Sequence, residues 1–377
     1  MTLITPRGYD RPVAAVRDAL RRAAAGLALL IGFLHPAVAN AASSSFTLGD
    51  ESVVRVLAGA RSVVTIKAWD RPNVQFDTDD ESVQVTRRPV TFGSAQNPLT
   101  LSIPVTNIAV RDPATGATSR GTLPPEEFPY ASDFRPGVHD LVRIETAADS
   151  RITVMVPATT AILETRIRGS GILTVDDYHG GTLFVGSQGG RTLLTNIMSA
   201  AFVQMMNGRL EVDDSSFDRL RARGNNATFV FEHNRARQIE VSTVSGSIVY
   251  DNGTFDPGLA RFESTNGSIA IGVASGAQIA ARSNDGHVYS MWERRTPIDQ
   301  RSDGEASATV AGGGPVVNAV TGHGNVYLYD GALATRQTIP PEWRPIQQAL
   351  AQQQGQQRQP KIPDAFQRFR ALRGRTL

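Results

Sequence analysis

Cysteine is absent from the 377 residues. That excludes disulfides, thiolate-held zinc, iron–sulfur clusters, a cysteine nucleophile and a lipid-modified cysteine anchor. Lysine is nearly absent: Lys67 and Lys361 are the only two, so arginine carries almost all the positive charge. Histidine is sparse, and His35, His139, His179, His233, His287 and His323 form no H-x-H or H-x-x-x-H pair that would suggest a ligand set on one strand or helix. No Gly-x-Ser-x-Gly occurs, and neither Gly189-Gly190 nor Gly312-Gly313-Gly314 leads into the Lys-Ser/Thr of a phosphate loop. No apolar run reaches the roughly 20 residues of a spanning helix. Asn226-Ala-Thr, Asn252-Gly-Thr and Asn266-Gly-Ser match the glycosylation pattern, but turn chemistry accounts for them.

The chain does contain 34 glycines and 21 prolines, which favour turns over long helices. It opens with Arg7, Arg11, Arg17, Arg21 and Arg22, an apolar run from Ala23 to Leu34, Pro36, and the small-x-small triplet Ala39-Asn40-Ala41. This is the layout of a secretory signal over 1–41. The expected address is the periplasm or cell surface of a bacterium. The segment takes five arginines and two aspartates with it, leaving 33 basic and 34 acidic residues. A nucleic-acid partner is therefore not expected.

Residues 42–87 alternate apolar and polar positions, as in Val63-Val64-Thr65-Ile66, and predict an N-terminal β-strand cap region. Residues 88–140 hold eight prolines and read as a Pro-rich inserted loop. From 141 to 337 the chain repeats. Gly171, Gly190, Gly208, Ala227 in place of glycine, Gly246, Gly267, Gly286 and Gly324 follow at spacings of 19, 18, 19, 19, 21, 19 and 38. Twice 19 is 38, so the copy near 305 reads as looped out or degenerate.

Each column of this repeat has one character. Seven before the glycine stand Ala201, Leu220, Ile239, Ala260, Ile279 and Val317; five before, Val203, Ala222, Val241, Phe262, Ala281 and Ala319. Two after stand Leu210, Phe229, Ile248, Ile269, Val288 and Val326. One before stand Asn207, Asn226, Ser245, Asn266, Asp285 and His323, residues that accept left-handed backbone or cap a turn. A fixed period of about 20 residues with two strands per repeat predicts stacked coils that bury a shared core. The expected fold is all-β, a parallel β-solenoid (β-helix) of about 19-residue coils, with a β-sandwich of hairpins as the alternative. Six before the glycine, Arg221, Glu240 and Arg261 alternate in sign and read as surface pairing between coils.

From 338 to 377 the repeat stops, and a Gln-rich linker leads into a basic tail. In that tail Phe366, Phe369 and Leu372 recur every three residues among Arg368, Arg370, Arg373 and Arg375. A helix there would suit an anionic membrane surface.

The turns written Thr243-Val-Ser-Gly246-Ser-Ile248, together with Gly169-Ser-Gly171 and Ile66-Lys-Ala-Trp69-Asp-Arg-Pro72, resemble a large bacterial family. These are adhesin-like β-strand repeat proteins of unknown function, related to head domains of the autotransporter-adhesin type. The resemblance covers roughly 46–87 and 141–330. It implies a secreted or envelope-facing β-solenoid, and it brings no catalytic residues with it.

Chemistry-bearing residues are scattered. His287 and His323 flank repeat glycines with Asp285 between, which suggests a metal site less readily than a plain surface turn. Asp176-Asp177 and Asp213-Asp214 recur at similar phases and would be the carboxylates of a polysaccharide lyase or hydrolase, or simply coil corners. One row is less ordinary: Val230, Val249, Ala270, Tyr289 and Tyr327, three after the glycine, should point outward yet are apolar. Either the loop at 88–140 covers them or they form an interaction stripe for an envelope glycan or protein partner. No catalytic, cofactor-binding or metal-ligating residue is assigned and no cofactor is expected. The reading is an exported, non-enzymatic envelope scaffold or adhesin-like binding module, with the enzyme as the alternative.

Overall fold

Apolar residues at every second position can bury one side of an extended chain, and strands are what this sequence forms. The computed structural model describes residues 42–48, 52–92, 108–111, 118–121, 137–292, 298–333 and 339–357. Residues 1–41, expected to be a signal, the core of the Pro-rich insertion and the basic tail with Phe366, Arg368, Phe369, Arg370, Leu372, Arg373 and Arg375 lie outside the described residues.

The early strands are β1 (Ala42–Thr47), β2 (Val53–Ala58), β3 (Val63–Trp69), β4 (Asn73–Thr78) and β5 (Gln84–Phe92). A separate antiparallel pair follows, β6 (Ile108–Arg111) and β7 (Thr118–Gly121). Next come β8 (Gly137–Glu145), β9 (Arg151–Pro157), β10 (Ile162–Asp176), β11 (Thr182–Thr195), β12 (Ala200–Asp213) and β13 (Ser216–Glu232). After these the repeats break into shorter pairs: β14 (Arg235–Ser245) with β15 (Ile248–Phe255), β16 (Ala260–Asn266) with β17 (Ile269–Val273), and β18 (Ala277–Ser283) with β19 (Val288–Met291). The last strands are β20 (Ile298–Ser302), β21 (Glu305–Val310), β22 (Val316–Thr321) and β23 (Val326–Asp330). Helix α1 (Arg344–Gln357) follows a single 3-10 turn at Pro341–Trp343.

The repeats pair in two parallel ladders. In the first the order is β8, β2, the leading halves of β10 to β13, then β14, β16, β22 and β18. In the second it is β9, β3, the trailing halves of β10 to β13, then β15, β17, β23 and β19. The columns read from the sequence are the interior of these ladders. Leu220, Ile239, Ala260 and Val317 stack in register, as do Phe229, Ile248, Ile269 and Val326, and all are sealed from solvent. Each fully buried aliphatic or aromatic side chain contributes about 1.5–3 kcal/mol. The repeat glycine permits the close stacking: a Cβ on Gly190, whose φ is +80°, would lie 2.0 Å from the carbonyl oxygen of Gly171.

Hairpin pairing, which the β-sandwich alternative needs throughout, is confined among the described residues to the separate β6–β7 pair and the ends of the ladders. At one end β5 runs antiparallel on β8, β4 on β9 and β1 on β4; at the other, β21 runs antiparallel on β18 and β20 on β21. Antiparallel strands there cover edges that a parallel stack would leave open.

Four expectations are corrected. The region 42–87 is not all cap, because β2 and β3 form an inner rung between β8–β9 and β10. The insertion is narrower than 88–140, since β5 and β8 stay paired as far as Phe92 and Gly137. Of the two readings of the copy near 305, the degenerate coil gives way to a looped-out β20–β21 hairpin, after which the chain returns and lays β22–β23 between two rungs already placed. The Gln-rich stretch is not a linker over 344–357 but a helix. Trp343, Ile346 and Leu350, spaced three and four apart, give it a buried stripe, and Gln and Ala are good helix formers.

Candidate functional site

The outward apolar row is in register as the repeat requires: Val230, Val249, Ala270, Tyr327 and Tyr289 neighbour one another in that order. It is not an exposed stripe. Val230, Val249, Ala270 and Tyr327 are buried, and only Tyr289 is half-exposed. Among the described residues the cover is the chain's own segment after the last strand, with Trp343, Ile346 and Leu350 packed on the row. Tyr327 meets Trp343 edge-on at 5.0 Å between ring centres and donates its hydroxyl to the Glu342 carbonyl at 3.0 Å. The Arg209 guanidinium reaches up from the stack to the Ala349 carbonyl at 2.5 Å. The local sequence does not mark this row as its target, because Trp343 stands between Glu342 and Arg344, and Ile346 and Leu350 are set among glutamine and alanine.

Beside the covered row runs a row of carboxylates. Five after the repeat glycine, Asp213, Glu232 and Asp251 lie in register on successive rungs and on the same outward side. Directly paired strands set neighbours in such a row about 4.8 Å apart. The three are treated differently. The Asp251 carboxylate accepts the Tyr329 hydroxyl at 2.7 Å and the Leu333 amide at 3.0 Å. Tyr329 reaches it across Gly272, where any Cβ would meet the tyrosine ring at 2.3 Å. Asp213 contacts His233 Nδ1 at 3.2 Å. Glu232, between them, is only 6% exposed, and its Oε1 has no hydrogen-bond partner. Burial, then the charges of Asp251 and Asp213, push the Glu232 carboxyl up to about 7.

One position further along is a corner. Asp177, Asn196, Asp214, His233 and Asn252, six after the glycine in five successive repeats, all adopt left-handed backbone, with φ between 47° and 59°. The residues one before the glycine do not, contrary to the sequence expectation. Asn207 and Asn226 instead link rungs through their side chains, Asn226 Nδ2 donating to Asn207 Oδ1 at 3.2 Å. At the corner, one ligand atom from each of Asp213, Asp214 and His233 lies within 4.8 Å of the others. Burial disfavours the charged imidazole, but the Asp213 hydrogen bond and the charges of Asp213, Asp214 and Glu232 outweigh it and hold His233 above its ordinary value.

The other sequence candidates fall elsewhere. Asp176 and Asp213 share a row but Thr195 stands between them. Asp176 lies 4.0 Å from Lys67 Nζ, and Asp177 accepts from Asn196 Nδ2 at 2.7 Å. His323 Nδ1 meets Asp285 at 2.5 Å across adjoining rungs, because β22–β23 stacks directly on β18–β19. On the outward side of the first ladder, Arg221 and Glu240 pair at 2.8 Å between rungs, while Arg261 turns to Glu263 on its own strand. These residues, with Arg223 and Ser242, line a polar groove of about 290 Å³.

No protein-family model matches the chain, and no curated protein matches it. Among solved structures, a similarity is found to "a putative cell adhesion protein from Clostridium sporogenes ATCC 15579", at 8% identity and a TM-score of 0.24, covering 77% of this chain and 100% of that one. A likeness of that size carries no argument about this chain.

Proposed function

We propose that the chain is an exported parallel β-solenoid serving as a non-enzymatic envelope scaffold or adhesin-like binding module. The observation that carries this reading is the in-register parallel pairing of repeats through both ladders, which builds a long rigid body with rows of identical phase on its outside. Export rests on the arginine-then-apolar layout of residues 1–41, and the adhesin-like character on the resemblance of the glycine turns. The groove of Arg221, Arg223, Arg261, Glu240 and Glu263 is the surface we assign to an envelope glycan or protein partner, because it offers donors and acceptors at a regular spacing. The enzyme alternative would need a carboxylate pair open to a sugar, and in the row Asp213 has Glu232 as its neighbour. Burial of Glu232 leaves a sugar ring no approach to its carboxyl group.

The test is fractionation of producing cells followed by binding of the purified protein to envelope polysaccharides. Expected are recovery outside the cytoplasm and binding that weakens when Arg221, Arg223 and Arg261 are replaced by alanine. Cytoplasmic retention, or turnover of a cell-wall or capsule polysaccharide, overturns the reading.

A further inference from the structure

The two positions five and six after the repeat glycine, taken on two neighbouring rungs, make a square of four residues. In neighbouring squares the carboxylates find partners. Asp176, Asp177, Thr195 and Asn196 form one in which Asn196 hydrogen-bonds Asp177. Asp251 is engaged by Tyr329 and the Leu333 amide. The square of Asp213, Asp214, Glu232 and His233 is different: one ligand atom from each of Asp213, Asp214 and His233 lies within 4.8 Å of the others, and Glu232 beside them is 6% exposed with an Oε1 that finds no hydrogen-bond partner among the described residues.

His233 is the second anomaly. The corner needs left-handed backbone, which Asn supplies at small cost and which Asn196 and Asn252 supply in the same row. Histidine also accepts that backbone; what it adds over asparagine is an imidazole nitrogen, 3.2 Å from Asp213. Ligands about 2.1 Å from one ion lie at most about 4.2 Å apart. The Asp213, Asp214 and His233 atoms, already within 4.8 Å of one another, need only small rotations to reach that spacing. Glu232, in register beside Asp213 on the same side, brings further negative charge to the ion.

We infer that Asp213, Asp214 and His233 form a binding site for a divalent first-row transition-metal ion, with the buried Glu232 carboxylate backing it, so that the ion joins two successive rungs at their corner. Mixed imidazole and carboxylate donors favour zinc or manganese over calcium or magnesium. The ion would also relieve the crowding of like charge along the Asp213–Glu232–Asp251 row.

The full chain, stripped with chelator and dialysed, is titrated with Zn²⁺ and separately with Mn²⁺ by calorimetry near neutral pH. One ion per chain with a dissociation constant below about 100 µM is expected for at least one of them. The row itself supplies variants that keep the fold: His233→Asn and Asp214→Asn place at the corner the residue that neighbouring repeats use there. Each is expected to weaken binding at least about tenfold with an unchanged circular dichroism spectrum. Asp177→Asn, in the square where Asn196 already bonds Asp177, should leave affinity as it was. Lack of saturable binding by either ion up to about 1 mM overturns the inference. So does affinity that survives His233→Asn, or equally tight Ca²⁺ binding indifferent to that substitution.

Discussion

Two buried glutamates stand one repeat apart on the same outward side of the stack, and their surroundings are opposite. Glu211 is clamped by two arginines from its own and the preceding rung: Arg191 Nε donates at 3.0 Å and Arg209 Nε at 2.6 Å. Glu232 has Asp213 before it and Asp251 after it in its row, and one of its oxygens has no partner. The same fold, spacing and degree of burial thus house a neutralised carboxylate and a crowded one. A repeat architecture multiplies whatever is placed in a column, so a row of like charge accumulates repulsion where a row of alternating charge cancels it. Stability alone favours the first arrangement, and the second therefore points to a task beyond folding.

The largest effect should come from making the Glu211 neighbourhood resemble that of Glu232. Replacing Arg191 and Arg209 together by methionine leaves a buried carboxylate uncompensated and also cuts the bond from Arg209 to the Ala349 carbonyl. A loss of about 3–5 kcal/mol is expected in urea denaturation, with fluorescence of the Trp343 region changing early if α1 detaches.

The reverse change is Glu232→Gln in metal-free protein, which should stabilise. The folded-state value near 7 lies above the ordinary value of 4.5, so the folded form keeps its proton as the unfolded form loses it. Stability of the parent protein therefore falls as pH rises from about 4.5 to about 7, and the whole penalty is present above that window. Glutamine has no proton to lose. The variant should exceed the parent by about 2–3 kcal/mol at pH 8 and by little at pH 4. Equal stability at both pH values would show that the carboxylate is not under strain.

The smallest effect belongs to the half-buried charge row of the first ladder. A double-mutant cycle on Arg221 and Glu240, paired at 2.8 Å between rungs, should return about 0.2–1 kcal/mol and shrink in high salt. A coupling as large as that of the Glu211 clamp would abolish the distinction between open and covered faces.

How much of this was legible in the residues varies by level. The interior columns were plain, because Leu220, Ile239 and Phe229 recur at a spacing that only stacking satisfies, and the glycines mark backbones in contact. Stack order was not legible: glycine spacing counts residues along the chain, and the return of β22–β23 between earlier rungs leaves a spacing of 38 just as a lost copy would. The stripe from Val230 to Tyr327 was correctly seen as outward and apolar, but its cover, Trp343 with Ile346 and Leu350, lies in a segment whose composition is dominated by glutamine. The Asp213–Glu232–Asp251 row was visible in principle as a column five after the glycine. Its significance depends on which members find partners, and Tyr329 reaching across Gly272 to Asp251 is a tertiary fact that no local pattern carries.

The order of the last rungs has a mechanical consequence. β22–β23 is held on both sides, by β16–β17 and by β18–β19, although it follows both in the chain. Tension applied at the C-terminus, after α1 has peeled away, therefore meets an interior rung first. Two parallel neighbours must be sheared at once, rather than an edge strand unzipped bond by bond. At the other end β2–β3 is likewise lodged between β8–β9 and β10, but β1, ahead of it in the chain, pairs with β4 alone and offers an edge that can unzip. Pulled from the C-terminal side, the stack should therefore yield abruptly rather than by gradual fraying.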